Sequence, residues 1–235
     1  MRVLQQRRAC RYLATAIIVF VLATGASSAD LPDEKPTDLV IGLDVSASTL
    51  LLTNSEYATK VAQRVGSEIQ SLRPRSRVTL RSFGTYESKG NELLRYDVTI
   101  SSVNRPETVE QLIETIITSI PLLVRRGTIK PQMQTNILGF LNNRAQLIDC
   151  ERYKTLIVLV SDGMEDSELG QLTRLDSKLP LPSSRIFNHC DKLQILGIGT
   201  GSHNHDPAFA DHLRQQWQAW AAAAGFVAFE ALNDW

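Results

Sequence analysis

Two polar segments carry the residue types best suited to bind a metal ion, and each directly follows an apolar run. The first, residues 44–48, reads Asp-Val-Ser-Ala-Ser, and the second, residues 161–163, reads Ser-Asp-Gly. In an extended segment every second side chain points to the same side, so Asp44, Ser46 and Ser48 can face one ligand. Carboxylates and hydroxyls suit Mg²⁺ or Mn²⁺, whereas Zn²⁺ favours His or Cys. These residue types therefore predict a Mg²⁺ or Mn²⁺ site.

Two strands are predicted to position these segments. Residues 38–43 and 155–160 are short and almost wholly apolar, which is typical of strands buried on both faces of a parallel sheet. The carboxyl ends of parallel strands lie at one edge of the sheet, where the ligands of such sheets bind. We therefore expect the carboxylates of Asp44 and Asp162 to face the same crevice.

Helices and strands alternate along the rest of the chain. Apolar periodicity predicts further strands at 77–83, 93–100, 193–198 and 226–231, and helices at 56–72, 107–124, 136–148 and 207–224. The short connection between 77–83 and 93–100 predicts a hairpin, and hence one antiparallel edge strand. The fold class that follows is α/β, with a doubly wound, mostly parallel sheet covered by helices on both faces.

The polar segments resemble the metal-ion-dependent adhesion site of von Willebrand factor A-type domains. The pattern of that family is D-x-S-x-S, then a Thr, then an Asp that follows an apolar strand and precedes Gly. The matching residues here are Asp44, Ser46, Ser48, Thr135 and Asp162. The resemblance implies a Rossmann-like fold in which the Ser and Thr hydroxyls contact the ion, and the Asp residues act directly or through water. An acidic group of a protein partner would complete the shell.

Thr135 is the least distinctive member of this set. Thr is a common residue at the N-cap of a helix, so Thr135 could serve only that role, and Thr128 could replace it as a ligand. The interval between Ser48 and Thr135 is longer than the family commonly shows. We expect the additional residues to lie within 101–131, near the binding edge, where they could set specificity.

The resemblance implies a binding module rather than an enzyme, and we predict no catalytic residue. The alternative is a metal-dependent hydrolase in which Asp44 attacks a phosphoester. Aspartyl phosphotransfer of the haloacid dehalogenase kind would need a second carboxylate two residues later, where the chain has Ser46. Neither serine of residues 44–48 lies in a G-x-S-x-G elbow, which argues against a serine hydrolase. A structural member of the family with a vestigial site is a third alternative, which the intact ligand set disfavours.

The first 29 residues are predicted to be a secretory signal peptide. Four arginines precede an uncharged apolar run at 12–26, and Ser27-Ser28-Ala29 places small residues before a cleavage site. The alternative is an uncleaved membrane anchor, although the run is shorter than the roughly 20 residues that span a bilayer. We expect a linker at 30–37, a von Willebrand factor A-type domain at 38–235, and a periplasmic or secreted protein. Any membrane attachment would be through the N-terminal segment.

Composition and charge limit the classes of partner. The chain is 43% hydrophobic and 21% charged, which is ordinary for a globular protein. Without residues 1–29, it has 21 basic against 25 acidic side chains, a net charge of −4. Because nucleic-acid binding needs a basic surface, nucleic acid is not an expected partner.

Cys150 and Cys190 are the cysteines that remain after signal removal, and an even number in an exported protein favours a disulfide. Each precedes a predicted strand. In the strand order of the family those two strands are parallel neighbours, so the resemblance places both cysteines at the amino-end edge of the sheet. The alternative is two unpaired, partly buried thiols.

Motifs in the last third of the chain are interpreted as structural. Residues 197–201, Gly-Ile-Gly-Thr-Gly, lack the third glycine of a dinucleotide-binding G-x-G-x-x-G, which favours a tight turn. His203, His205 and Asp206 have the chemistry of metal ligands, but they equally fit a turn that caps the next helix. The helical spacing of Trp217 and its apolar neighbours predicts a core face.

Overall fold

The fold is built on strands and helices that alternate along the chain. The structure is a computed structural model, and it describes residues 34–85, 91, 94–201 and 206–235. The strands are β1 Thr37–Asp44, β2 Arg77–Phe83, β3 Arg95–Thr99, β4 Lys154–Val160, β5 Glu165–Ser167, β6 Gly170–Leu172, β7 Lys192–Leu196 and β8 Ala228–Leu232. The helices are α1 Ser55–Gln70, α2 Pro106–Arg125, α3 Ile137–Ala145 and α4 Pro207–Ala224, together with a 3-10 helix at Leu50–Leu52.

Six strands form the main sheet in the order β3-β2-β1-β4-β7-β8. All neighbours are parallel except β2 and β3, which are antiparallel. The predicted fold class is confirmed: this is a doubly wound, mostly parallel, Rossmann-like sheet with one antiparallel edge strand. The chain moves from β1 to β2 on one side and from β4 to β7 on the other. The loops after β1 and β4 therefore diverge, and a crevice opens between them.

Each face of the sheet is covered by two helices. Leu39 and Ile41 of β1 belong to a core cluster with Val61 of α1 and Ile113 of α2. Val40, which alternates with them, belongs to a second cluster that contains buried side chains of α3 and α4, among them Leu141 and Trp217. A strand with apolar residues on both faces is what a central parallel strand requires.

The predicted strands and helices of the described chain are present, with ends that differ by a few residues. The helix predicted at 136–148 ends at Ala145, and the next residues form a turn in which Leu147 N–H donates to the carbonyl of Arg144, three residues earlier. β1 begins at Thr37, the last residue of the linker predicted at 30–37. The β5–β6 ribbon and the 3-10 helix were not predicted.

The predicted disulfide between Cys150 and Cys190 is present, with their Cα atoms 4.8 Å apart. Cys150 precedes β4 and Cys190 precedes β7, so the bond lies at the amino ends of two neighbouring parallel strands. It closes the chain at the edge opposite to the crevice. The carboxyl-end edge is therefore free of this covalent constraint.

Several sequence predictions concern residues outside the described part of the chain. These are the signal peptide at 1–29, the linker residues 30–33, and the histidines at 203 and 205. Within the described ranges, the helices are too short or too polar to cross a membrane.

Candidate metal centre

Two acidic side chains lie at the carboxyl ends of the central strands. Asp44 is the last residue of β1, and Asp162 follows β4, whose Val160 pairs with Leu43. The exposed fraction is 0% for Asp44 and 1% for Asp162. Burial, and after it the negative charge of Asp162, raises the pKa of Asp44 to about 7. The strand order thus brings the two carboxylates close enough to repel each other.

Hydrogen bonds orient both carboxylates. Asp44 accepts from the backbone N–H of Ser46 at 2.8 Å and from the hydroxyl of Ser161 at 2.7 Å. The Ser161 oxygen in turn accepts from the N–H of Gly163 at 3.1 Å. Asp162 accepts from the N–H of Met164 at 3.0 Å. Ser161 was not singled out in the sequence, although its position directly before Asp162 was the available signal.

The two predicted serine ligands come together in the loop after β1. The Oγ atoms of Ser46 and Ser48 are 3.2 Å apart, so both hydroxyls lie on one side of the loop. Ser46 is buried and Ser48 is half-buried. The alternation in D-x-S-x-S therefore has the expected geometric result, with a hydroxyl pair adjacent to Asp44.

Gln132 joins three loops at this edge, and it was not predicted as a site residue. Its backbone N–H donates to Val45 O at 2.9 Å, and its carbonyl accepts from Ala47 N–H at 2.8 Å. Its side-chain oxygen accepts from Thr85 N–H at 2.6 Å, and its amide nitrogen donates to Asn91 at 2.8 Å. The chain that leads to Thr135 is thereby held along the loop of residues 44–48.

Thr135 is buried between the ribbon and α3. Its carbonyl accepts from the N–H of Asp166 at 2.9 Å, and its exposed fraction is 4%. The N-cap of α3 is Asn136, whose side chain accepts from Gly139 N–H, so Thr135 does not cap the helix. Among the described residues, the Thr135 hydroxyl is not a hydrogen-bond partner of Asp44, which accepts from Ser46 and Ser161. Thr128, the alternative, is exposed in the turn after α2.

Two buried side chains hold the loop that follows Asp162. Trp217 of α4, predicted as a core residue, is buried and also donates through Nε1 to Gly163 O at 2.7 Å. Glu165 accepts from the N–H groups of Ile137 at 2.8 Å and Leu138 at 3.1 Å, in the first turn of α3. Burial raises the pKa of Glu165 to about 7. The role of Glu165 was not predicted, because its partners are 27 and 28 residues away in sequence.

The glycine-rich segment at 197–201 is a close-packed turn beside this site. A Cβ atom on Gly201 would lie 2.5 Å from an oxygen of Asp162, and one on Gly197 would lie 2.0 Å from the hydroxyl of Tyr57. Gly197 also has a φ of 100°, which favours glycine. Burial, with a contribution from both aspartates, raises the pKa of Tyr57, which keeps the phenol neutral. Asp206 caps α4 by accepting from Ala208 N–H.

The donor set at this edge fits a hard divalent cation. It contains two carboxylates and a hydroxyl pair, which are ligands that Mg²⁺ and Mn²⁺ accept. Across the described ranges, no three His, Cys, Asp or Glu side chains are grouped as metal ligands. A metal held here would therefore depend on hydroxyl and water ligands in addition to Asp44 and Asp162.

Comparisons with known proteins show likeness at the level of the fold. No family model matches the sequence, and no curated protein matches it. A crystal structure of the pilus adhesin SpaC from Lactobacillus rhamnosus GG matches with a TM-score of 0.51 and 14% identity; the match covers 86% of this chain and 29% of the adhesin. The conserved hypothetical protein BatB from Bacteroides thetaiotaomicron matches with a TM-score of 0.45 and 15% identity, over 85% of this chain and 91% of BatB. The adhesin comparison thus shows a shared α/β architecture, in a chain that spans less than a third of the adhesin.

Proposed function

We propose that this chain is an exported binding module of the von Willebrand factor A type. In this proposal Asp44, Ser46, Ser48, Thr135 and Asp162 hold Mg²⁺ or Mn²⁺, and the ion captures a protein partner through an acidic side chain. The proposed activity is binding and not catalysis.

The observation that carries the proposal is the pair of buried carboxylates beside a pair of hydroxyls. Burying two like charges is costly unless a positive charge accompanies them. Asp44 forms no ion pair with any residue that the structure describes, and its pKa of about 7 reflects that cost. A divalent cation would supply the missing charge, and the hydroxyls would complete an oxygen ligand set.

Partner capture follows from the charge of such a site. Two carboxylates neutralise a divalent ion formally, while hydroxyls and water add no negative charge. The bound ion would therefore remain able to accept an external carboxylate. The residues of this chain would orient the site: Ser161 and the Ser46 N–H hold Asp44, and Gln132 holds the loop that carries both serines.

A metal titration tests the site directly. We expect Mg²⁺ or Mn²⁺ to bind in isothermal titration calorimetry and to raise the melting temperature, because the ion binds only the folded site. Asp44→Asn should abolish both effects, and EDTA should reverse them in the wild type. Asp176→Asn is the matched control, because the side chain of Asp176 is 77% exposed and forms a surface ion pair with Arg174. Undiminished binding by Asp44→Asn would rule out this site.

A second experiment tests partner capture. The immobilised protein should retain a specific protein from a bacterial envelope extract in Mg²⁺ and release it in EDTA. Ser48→Ala should lose the partner, whereas Ser102→Ala, at an exposed serine in the loop after β3, should keep it. A complex that survives both chelation and Ser48→Ala would show that the binding surface lies elsewhere. Turnover of a generic phosphoester that is lost in Asp44→Asn would instead support the hydrolase alternative.

Export is part of the proposal. It is supported by the N-terminal pattern of arginines, apolar run and small residues, and by a disulfide, which persists in oxidising compartments. N-terminal sequencing of the protein from a bacterial periplasm should give a chain that begins at Asp30. A chain that begins at Met1 and stays with the membrane would favour the uncleaved anchor.

A further inference from the structure

A cavity of about 370 Å³ lies on the sheet, and none of the five candidate metal ligands lines it. It is on the face that carries α3, over β2 and β3. Val78 and Leu80 of β2 belong to the core on the opposite face, so the alternating residues Arg77, Thr79 and Arg81 line the cavity. A sheet face that packs against a helix is usually apolar, whereas a face with polar side chains is usually exposed to solvent.

Three arginines and two aspartates line this cavity, and both aspartates are already paired. Arg77 forms an ion pair with Asp38, and Arg81 binds both carboxylate oxygens of Asp97, at 2.8 and 2.6 Å. Arg81 is also fixed by the carbonyls of Leu80 and Tyr96. Within each pair the two charges cancel, so the net positive charge of the cavity comes from the third arginine, Arg144.

The third arginine is Arg144, near the end of α3. Within the described residues its guanidinium forms neither an ion pair nor a hydrogen bond, and its carbon lies over the Phe140 ring, 5.8 Å from the ring centre. Burial, and after it the positive charge of Arg81, lowers the pKa of Arg144. An arginine remains charged at neutral pH, so Arg144 is a half-buried cation without an ion-pair partner among the described residues, and an anion could pair with it.

An apolar wall stands next to Arg144. Leu147 and Ile148 follow it in the chain and line the same cavity, and Leu147 is 64% exposed. The carbonyl of Arg144 accepts from both of their N–H groups, so the charged and apolar groups are held together by one tight turn. The cavity is thus lined by a cation without an ion-pair partner, Arg144, and by the aliphatic side chains of Leu147 and Ile148 beside it.

We propose that this cavity binds a small organic anion, with its carboxylate at Arg144 and a short aliphatic part against Leu147 and Ile148. A guanidinium matches a carboxylate through parallel N–H donors, and Leu147 supplies apolar area that is otherwise left in water. This site is independent of the proposed metal-dependent function, because it lies over the amino-end half of β1 and uses none of the metal-site residues.

Four probes titrated into the protein in EDTA test the site by calorimetry or by NMR shifts. Butyrate carries both the head group and the aliphatic part, acetate and inorganic phosphate carry only an anionic head group, and butyramide carries no charge. We expect saturable binding of butyrate, weaker binding of acetate and phosphate, and none of butyramide. Arg144→Gln should weaken butyrate binding at least about tenfold, whereas Arg126→Gln, at an exposed arginine after α2, should not change it.

If Arg144→Gln is unstable, a second variant tests the same site. Leu147→Asn changes an exposed side chain, so it should leave folding intact, weaken butyrate binding and leave acetate binding unchanged. The proposal is overturned if butyrate does not saturate, or if both variants bind it as the wild type does. Tighter binding of phosphate than of butyrate would also overturn it, because the aliphatic wall would then have no role.

Discussion

Ionisation of Asp44 should make the metal-free protein less stable at high pH. Its pKa is about 7 in the folded protein against an ordinary value of 3.8, so its contribution is fully present below about pH 4 and lost as pH rises through about 7. Asp44→Asn should therefore stabilise the metal-free protein at pH 8 by on the order of 2–4 kcal/mol. Asn can keep both contacts, because the Ser161 hydroxyl can also accept a hydrogen bond.

Thermal unfolding in EDTA at pH 5, 6.5 and 8 measures this effect. The wild type and Asp44→Asn should differ most at pH 8 and least at pH 5. Mg²⁺ should bind the wild type more tightly at pH 8 than at pH 5.5, because a proton on Asp44 competes with the ion. An equal loss of stability with pH in both proteins would contradict the pKa of Asp44.

Asp44 and Asp162 could be selected from the sequence because each is an acid directly after a buried strand, and parallel strands bring such positions to one edge. Ser161, Gln132 and Glu165 could not be selected in the same way. Their importance comes from partners that are distant in the chain, such as Asp44 for Ser161, and no local spacing predicts those contacts.

Gly201→Ala should disturb Asp162 without opening a cavity. The added Cβ would lie 2.5 Å from the Asp162 oxygen, which must move away. We expect a loss of about 1–3 kcal/mol in the free energy of unfolding and about tenfold weaker Mg²⁺ binding. Gly66→Ala in α1 is the control, because the neighbours of the added methyl there are side chains of two glutamates on α2. Equal Mg²⁺ affinity of both variants and the wild type would show that Asp162 does not bind the ion.

At the scale of elements, the long strands and helices were predictable and the short ones were not. The helix Pro207–Ala224 repeats an apolar face over several turns, and its buried residues include Trp217 and Trp220. The ribbon of β5 and β6 has three residues in each strand, which is too short for any periodicity to show. Asp166 of this ribbon nevertheless pairs with Thr135. The position of one candidate ligand therefore depends on an element that could not be predicted from the sequence.

Glu165 should hold the start of α3 in place. Its carboxylate satisfies the N–H groups of Ile137 and Leu138, which have no partner within the helix. Glu165→Ala should cost about 2–4 kcal/mol of stability in urea unfolding, because two buried donors lose their acceptor. Glu165→Gln keeps one acceptor oxygen and should cost less than about 1 kcal/mol. If the two variants unfold alike, the carboxylate is not acting as an acceptor for this helix.

At the scale of the whole molecule, the sheet separates two kinds of stabilisation. The disulfide joins the amino ends of β4 and β7, whereas the candidate metal centre lies at the carboxyl ends of β1 and β4. The pairing of the cysteines was predictable from the strand order of the family that the sequence resembles. It could not be derived from the spacing of the cysteines alone, since a separation of 40 residues is compatible with many folds.

Removing the disulfide should lower stability and spare the metal site. The bond closes a loop of 40 residues, which corresponds to about 4 kcal/mol in the chain-entropy model. Cys150→Ala combined with Cys190→Ala should lower the free energy of unfolding by up to that amount. Mg²⁺ affinity, measured well below the melting temperature, should change less than about twofold. A large loss of affinity in the folded variant would mean that the two edges are coupled.

The position of β1 has a mechanical consequence for a protein that captures a partner. This strand enters the sheet at Thr37 and ends at Asp44, so in the uncleaved-anchor alternative a partner that pulls at Asp44 would load β1 along its length. Seven residues of β1 pair with β2 and seven with β4. Their hydrogen bonds lie across the direction of pull, so they would share the force in shear rather than open one after another. The strand that presents the candidate site is therefore also the one best placed to carry tension through the fold.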